Sequence, residues 1–389
     1  MLKAHFKRFL EADPERVHFA AHSHHYWPDV TRDAQIEAWE LAARHADEKW
    51  GPFFAGPWRD AHEHVARILH LGRGDSLAFA PSTHEFVVRL LSCLKTPARV
   101  LTTDGEFHSF ARQIARYEED GRVHVARIST EPFETFEARF VAAAKSERFD
   151  LVWTSQVFFD SGFAIDPTSI VRALDAVTDA PIVIDGYHGF MARPTDLSAI
   201  AERAFYVAGG YKYAMAGEGA CFLHAPPNVF PRPPNTGWFA AFFALEGRGE
   251  GPVPYGDDGS RFLGATFDPS AIFRFNAVQR LLVAEGVTVR EIAAHARLMQ
   301  RTFVEALERR RIALLAPAHL VVPLDEDRKG SFLTYRLAGG EAKRVHDALA
   351  AVKVLTDVRG DRLRFGFAPY HDGTDIERGV ERIAAALGT

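Results

Sequence analysis

Cysteine is scarce. The 389-residue chain has two, Cys93 and Cys221. Two thiols build no disulfide framework, so a reduced, cytoplasmic setting is expected. No apolar run is long enough to span a bilayer. The opening residues Met1-Leu2-Lys3-Ala4-His5-Phe6-Lys7-Arg8 lack the apolar stretch of a signal peptide. An excess of one charge is also missing: 46 Lys and Arg stand against 51 Asp and Glu, a net −5. Neither nucleic acid nor an anionic membrane is therefore expected as a partner. No Gly-x-Gly-x-x-Gly follows the first apolar run near 75–80, which speaks against a dinucleotide-binding Rossmann protein. Repeats, low-complexity tracts and heptads are absent. What remains is a soluble globular composition with ample apolar residues for a large core.

The patterning is that of an α/β protein. Residues 31–48 and 57–70 read as helices, with a break at Trp50-Gly51-Pro52. From about 75, short apolar runs at 76–79, 98–103, 123–128, 150–154, 181–185 and 205–209 alternate with amphipathic stretches near 84–95, 107–118, 133–146 and 168–177. That alternation implies a mostly parallel, doubly wound sheet, which places ligands beyond the carboxyl ends of its strands. The stretch 225–270 is rich in Pro and Gly and is expected to be irregular, with helices near 270–285 and 288–311 after it. Strands at 319–323, 331–337, 352–356 and 362–367 with helices at 341–351 and 374–387 predict a small α+β domain. The expected organisation is an N-terminal segment (1–48) packing on the small domain or cleft, a large domain (49–268) and a small domain (269–389).

Chemistry collects at two strand ends. Pro181-Ile182-Val183-Ile184-Asp185 is a buried strand ending in a carboxylate, followed by Gly186-Tyr187-His188. Further on, Phe205-Tyr206-Val207-Ala208 leads into Gly209-Gly210-Tyr211-Lys212-Tyr213. Asp185 and Lys212 thus sit where a cationic pyridine ring could bridge them. A pyridinium-pairing carboxylate and an imine-forming lysine are the recurring protein groups of pyridoxal 5'-phosphate (PLP) chemistry. Singly, the Asp suits a turn and the Lys a solvated loop. Ser82-Thr83, at a helix start after the first strand, adds hydroxyls and free backbone N–H groups suited to a phosphate, although a plain helix cap would look the same.

With these residues in view, the chain resembles the fold-type I PLP enzymes of the aminotransferase class V group, most closely the kynureninases, from about 75 to 370. Tyr211-Lys212-Tyr213 with Gly217-Glu218-Gly219 resembles the lysine loop. Asp185-Gly186-Tyr187-His188 resembles an Asp-x-x-His motif, and Gly237-Trp238-Phe239 a Gly-Trp motif. Arg261-Phe262-Leu263 with Thr266 is similar to the segment that reaches a neighbouring subunit's phosphate. Leu363-Arg364-Phe365-Gly366-Phe367-Ala368-Pro369 resembles the C-terminal arginine strand. The resemblance implies a mostly parallel seven-stranded sheet, a homodimer with shared active sites, and bound PLP. Lys212 would form the internal aldimine, Asp185 would pair with the pyridine nitrogen, and His188 would lie near the ring substituents. Phe107 would stack on the ring and Ser155 would lie beside it. Ser82, Thr83, Tyr211, Trp238 and Thr266 would hold the phosphate. Arg364 would bind the substrate α-carboxylate, and Tyr211 would serve as a general acid.

The implied reaction is hydrolytic Cβ–Cγ cleavage of kynurenine or a related amino acid. An aminotransferase or β-eliminating lyase acting on another amino acid is the alternative. A cysteine desulfurase needs a mobile cysteine late in the chain, and none follows Cys221. Three departures concern the substrate. Ala240-Ala241 replaces a polar continuation, Phe110 stands where an acidic residue is usual, and the N-terminal Ala21-His22-Ser23-His24-His25 is unlike the usual opening. His24 and His25 are expected to line the cleft and meet substrate. No metal is expected there, since a zinc set needs three or four convergent ligands.

Overall fold

The structure is a computed structural model that describes residues 1–244 and 251–388. The chain opens with α1 (Lys7–Glu11), β1 (Val17–His18) and α2 (Val30–His45). The break expected at Trp50-Gly51-Pro52 does not occur. Residues 46–49, α3 (Trp50–Phe53) and a wide π-type turn at Phe54–Trp58 run on into α4 (Arg59–Leu69). Pro52 falls in the first turn of α3, where its missing N–H has no helical partner to lose. The rings of Trp50, Phe53, Phe54 and Trp58 pack on one another there. That aromatic packing outweighs the local breaker signal.

The large sheet is built from β2 (Leu77–Ala80), α5 (Thr83–Ser92), β3 (Ala98–Thr103), α6 (His108–Glu119), β4 (Val123–Ile128), α7 (Phe133–Ser146), β5 (Leu151–Ser155), α8 (Pro167–Asp175), β6 (Ile182–Asp185), β7 (Ala204–Gly209) and β8 (Cys221–His224). Its seven strands run in the order β2-β8-β7-β6-β5-β3-β4. β8 is antiparallel to both neighbours and the other pairings are parallel. Every residue of β5, β6 and β7 is buried. Continuous apolar strands are what a sheet covered by helices on both faces requires. Ser155 and Asp185, the last residues of adjacent strands, pair in register at the carboxyl edge.

The chain between β8 and residue 270 has only short 3-10 turns among the described residues; residues 245–250 of the stretch expected to be irregular lie outside them. Then come α9 (Ser270–Ala284), α10 (Val289–Arg309), β9 (Phe332–Arg336), α11 (Glu341–Ala351), β10 (Val354–Leu355), β11 (Asp357–Arg359), β12 (Arg362–Gly366) and α12 (Gly373–Leu387). The strand expected at 319–323 is absent. Pro317 and Pro323 bound that stretch, and a single bridge, Leu320 to Tyr335, is all it makes. Proline removes the N–H that a strand ladder needs. The strand expected at 352–356 is shortened to β10, which pairs in parallel with β1; β11, just beyond it, carries no sequence expectation and joins β12 and β9 in a three-stranded antiparallel sheet.

The N-terminal segment is stitched into this second sheet. Phe19 N–H donates to Leu355 O and Gly366 N–H to Phe19 O, at 2.9 and 2.8 Å. A side chain at residue 366 would collide with His22, so glycine is required there. His18 Nδ1 meets the Tyr370 hydroxyl at 2.8 Å, and His371 Nε2 meets His18 O at 2.8 Å. Burial pushes the imidazoles of His22, His25 and His371 down to about 3. The unfolded chain takes up these protons below its ordinary histidine range near 6.5, and the folded chain does not. Stability is therefore expected to fall steadily between pH 6.5 and 3, by up to about 1.4 kcal/mol per pH unit for each histidine. Urea denaturation at pH 7 and pH 5 checks this; equal stability at both pH values would contradict it.

Candidate active site

A cavity of about 210 Å³ opens at the carboxyl edge of the large sheet. Asp185 reaches it from the end of β6 and Ser155 from the end of β5. Lys212 reaches it from the turn between β7 and β8. That turn is tight: Met215 N–H donates to Lys212 O and Ala216 N–H to Gly210 O, both at 2.9 Å. Gly217 has φ +70° and would press any Cβ to 2.6 Å from the Trp27 ring. Glycine alone meets both demands.

Lys212 is 7% exposed. Burial, aided by the Arg364 charge and opposed by that of Asp185, lowers its amine to about 7. Near neutral pH a large share of the amine is unprotonated, as a nucleophile or base requires. Asp185 is raised to about 6 by burial, against the hydrogen bond from Tyr187 N–H at 2.9 Å and the nearby Lys212 charge. Lys212 Nζ hydrogen bonds to His188 Nε2. Burial holds His188 well below its ordinary range, so the ring is neutral. If its Nε2 accepts from the amine, Nδ1 carries the proton. Among the described residues that Nδ1 is buried without a partner. The Phe107 ring lies 5.2 Å and the Tyr187 ring 5.5 Å from Lys212 Nζ.

Ser82, Thr83 and Tyr211 line the same cavity. Ser82 precedes α5 but makes no capping hydrogen bond, which leaves its hydroxyl uncommitted. The free N–H groups of the first helical turn favour an anion there. The cavity therefore joins an anion-suited helix start, an exposed aromatic face, a buried carboxyl, an imidazole nitrogen without a partner among the described residues and a partly neutral amine. This donor set fits a flat, cationic, phosphorylated pyridine such as PLP.

The other sequence candidates lie outside this lining. Trp238 Nε1–H donates to Thr266 Oγ1 at 2.8 Å, and Trp238 packs on Trp50 and Phe239. Arg261 braces the chain by donating to the carbonyls of Pro226 and Val229. His24 Nδ1 meets the Tyr211 hydroxyl at 3.0 Å, at the cavity edge. His25 is fully buried, its Nδ1 bonded to Tyr26 O and its ring against Tyr370. Arg364 is outside the lining but packs on the ring of Phe159, which does line the cavity. Its guanidinium pairs with Asp357, donates to Phe159 O, and is flanked by the Phe159 and Phe332 rings. Phe110 stacks on Trp153 at 4.2 Å within the core, which accounts for an apolar residue at that position. Ala240 is buried beside a different depression, away from Lys212.

Tyr187, Asp357 and Glu106 are among the side chains at or near this site that carry no sequence expectation. Tyr187 stands inside the Asp185–His188 motif, and Glu106 directly precedes Phe107. Asp357 reaches Arg364 across β11 and β12, where the two residues pair in register. No sequence spacing announces that pairing.

Comparison with known proteins supports the same architecture. Residues 292–383 match the kynureninase C-terminal domain family. A search of curated proteins gives no match. Among solved structures, the Escherichia coli cysteine desulfurase CsdA superposes with a TM-score of 0.80 at 14% identity, over 100% of this chain and 98% of that one. A cysteine desulfurase from Thermococcus onnurineus NA1 gives 0.79 at 15% identity, over 99% and 98%. A mutant of C-DES with glycine covalently linked to its PLP cofactor gives 0.77 at 14% identity, over 98% of each chain. The chain thus has the fold of the fold-type I PLP-dependent enzymes, and its C-terminal part matches the kynureninase C-terminal domain family.

Proposed function

We propose that this protein is a PLP-dependent enzyme acting on an amino acid, with kynureninase-type hydrolysis of a Cβ–Cγ bond as its reaction. The observation that carries the cofactor reading is the pairing of a buried, partly neutral Lys212 with a buried Asp185 at one sheet edge. The family match over 292–383 supports the choice of reaction.

When bound, PLP supplies an electron sink for the pair left at the substrate Cα. The chain's own residues do the rest. Lys212 would hold the cofactor covalently, and its amine would then carry the Cα proton. Asp185 would keep the ring nitrogen protonated. His188 and Ser155 would lie beside the ring, and Phe107 would cover one face. Ser82, Thr83 and Tyr211 would hold the phosphate. Water would add to the side-chain γ-carbonyl, so that Cγ leaves as a carboxylic acid when the Cβ–Cγ bond breaks, and the Tyr211 hydroxyl, in contact with exposed His24, would deliver the proton to Cβ. Arg364, held by Asp357, is assigned to the substrate carboxylate. Trp238 and Thr266 are bonded to each other outside the Lys212 cavity, which suits a role at a neighbouring subunit's phosphate in a homodimer. The two free thiols suit a cytoplasmic protein.

The structural likeness to cysteine desulfurases does not favour their chemistry here. Burial raises the thiols of both Cys93 and Cys221, and Cys221 is held in a strand between Tyr187 and Thr83. Neither is a mobile thiolate nucleophile. An aminotransferase or a lyase on another amino acid is the second reading; a solved C-DES complex described as a cystine C–S lyase shares this fold, with a TM-score of 0.73.

The test is release of anthranilate from L-kynurenine, and of 3-hydroxyanthranilate from its hydroxylated analogue, by PLP-loaded protein. Turnover without an added amino acceptor is expected. Turnover that requires a 2-oxo acid acceptor would instead assign an aminotransferase.

A further inference from the structure

Glu106 is 4% exposed and lies three residues past the end of β3, directly before Phe107. Among the described residues it pairs with no cation. The charged group that acts on it is Asp185, of its own sign, and the groups touching it are Thr103 from β3 and Ser155 from β5. An ionised carboxylate buried in such company is costly.

The hydrogen bonds distinguish its two oxygens. Thr103 Oγ1 accepts from Gly105 N–H at 3.2 Å and donates to Glu106 Oε1 at 2.7 Å. Ser155 N–H donates to the same Oε1 at 3.1 Å. Oε1 thus accepts twice, as a carbonyl oxygen does. Oε2 faces Ser155 Oγ at 2.7 Å and no other group among the described residues bonds to it. If Oε2 were ionised, the Ser155 hydroxyl would be spent donating to it. If Oε2 carries a proton, it donates, and the Ser155 hydrogen is free to turn into the cavity that Ser155 lines.

We propose that Glu106 is a positioning residue that stays a neutral acid and, by donating to Ser155 Oγ, makes the Ser155 hydroxyl a donor toward the ligand beside Asp185. The direction of its titration agrees: burial raises the carboxyl to about 8, against the bonds from Thr103 and Ser155. The assignment of that ligand as PLP rests on the reading given above; the protonation state does not.

Two measurements separate these layers. In cofactor-free protein, the infrared spectrum at pH 6 is expected to show the C=O stretch of a buried protonated carboxyl that Glu106→Gln removes and that fades in the wild type as pH rises through about 8. Absence of that band overturns the proposal whatever the cofactor is. In PLP-loaded protein, Glu106→Gln, which keeps a donor and an acceptor, is expected to bind PLP within about twofold of wild type. Glu106→Ala and Ser155→Ala should each weaken it about tenfold, the scale of one hydrogen bond, and the double variant no further. The absorption maximum of the bound cofactor should follow the same order. Glu106→Gln as damaging as Glu106→Ala, at unchanged melting temperature, would mean that the carboxylate acts as an anion and would overturn the proposal. Wild-type protein that shows the infrared band but binds no PLP would remove the cofactor reading and leave the neutral Glu106 standing.

Discussion

Lys212→Ala is expected to remove turnover almost entirely. The substitution deletes both the covalent anchor of the cofactor and the base at Cα. Loss of general-base assistance alone costs about 10²–10⁴-fold, so kcat should fall by at least that much. The fold should survive, because Lys212 contributes no ion pair among the described residues, and an alanine in that turn leaves Met215 and Ala216 free to keep their backbone bonds. Cofactor binding should persist without covalent attachment, since Asp185, Phe107 and the Ser82–Thr83 helix start are untouched. Kinetics on the purified variant, with a thermal melt as control, check this. A variant within tenfold of wild type would contradict the role.

The second large effect is expected at Asp357. Its carboxylate is pulled up by burial, but His22 and Arg364 outweigh this and hold it well below the usual range. Arg364 is 2% exposed and lies between two phenylalanine rings. Asp357→Ala leaves that guanidinium buried with one carbonyl partner. Removing one member of a buried ion pair costs about 3–5 kcal/mol. A drop of that size in urea-denaturation stability is expected, together with a raised KM for any substrate that presents a carboxylate to Arg364. Asp357→Asn, which retains a carbonyl acceptor, should lose less on both counts. Unchanged stability in Asp357→Ala would mean that Arg364 finds another partner and that the pair is not what fixes it.

Much of this architecture is legible in the sequence for a simple reason. β5, β6 and β7 are short apolar runs ended by polar residues, and helices with one apolar face separate the earlier strands; that period is what burial on both faces demands. Asp185 and Ser155 could be placed because strand ends are marked by the switch from apolar to polar. Lys212 could be placed because glycines bracket it. Other features depend on partners distant in sequence. The two-residue β1 exists only because β10 lies beside it. The helical continuation through Pro52 depends on aromatic contacts with residues such as Phe239 and Phe273. The pairing of Asp357 with Arg364 and the contact of His24 with Tyr211 are set by tertiary packing, not by any local pattern. Glu106 stood one position from a named residue, yet its role is visible only once Ser155 and Thr103 are seen to converge on it.

The central claim is that Lys212 carries PLP. Borohydride reduction of the PLP-loaded wild-type protein, followed by peptide mapping, tests it most directly. A pyridoxyl group on the peptide containing Tyr211-Lys212-Tyr213, and on no other lysine, is the result predicted. An unmodified Lys212, or a label spread over surface lysines, would contradict it.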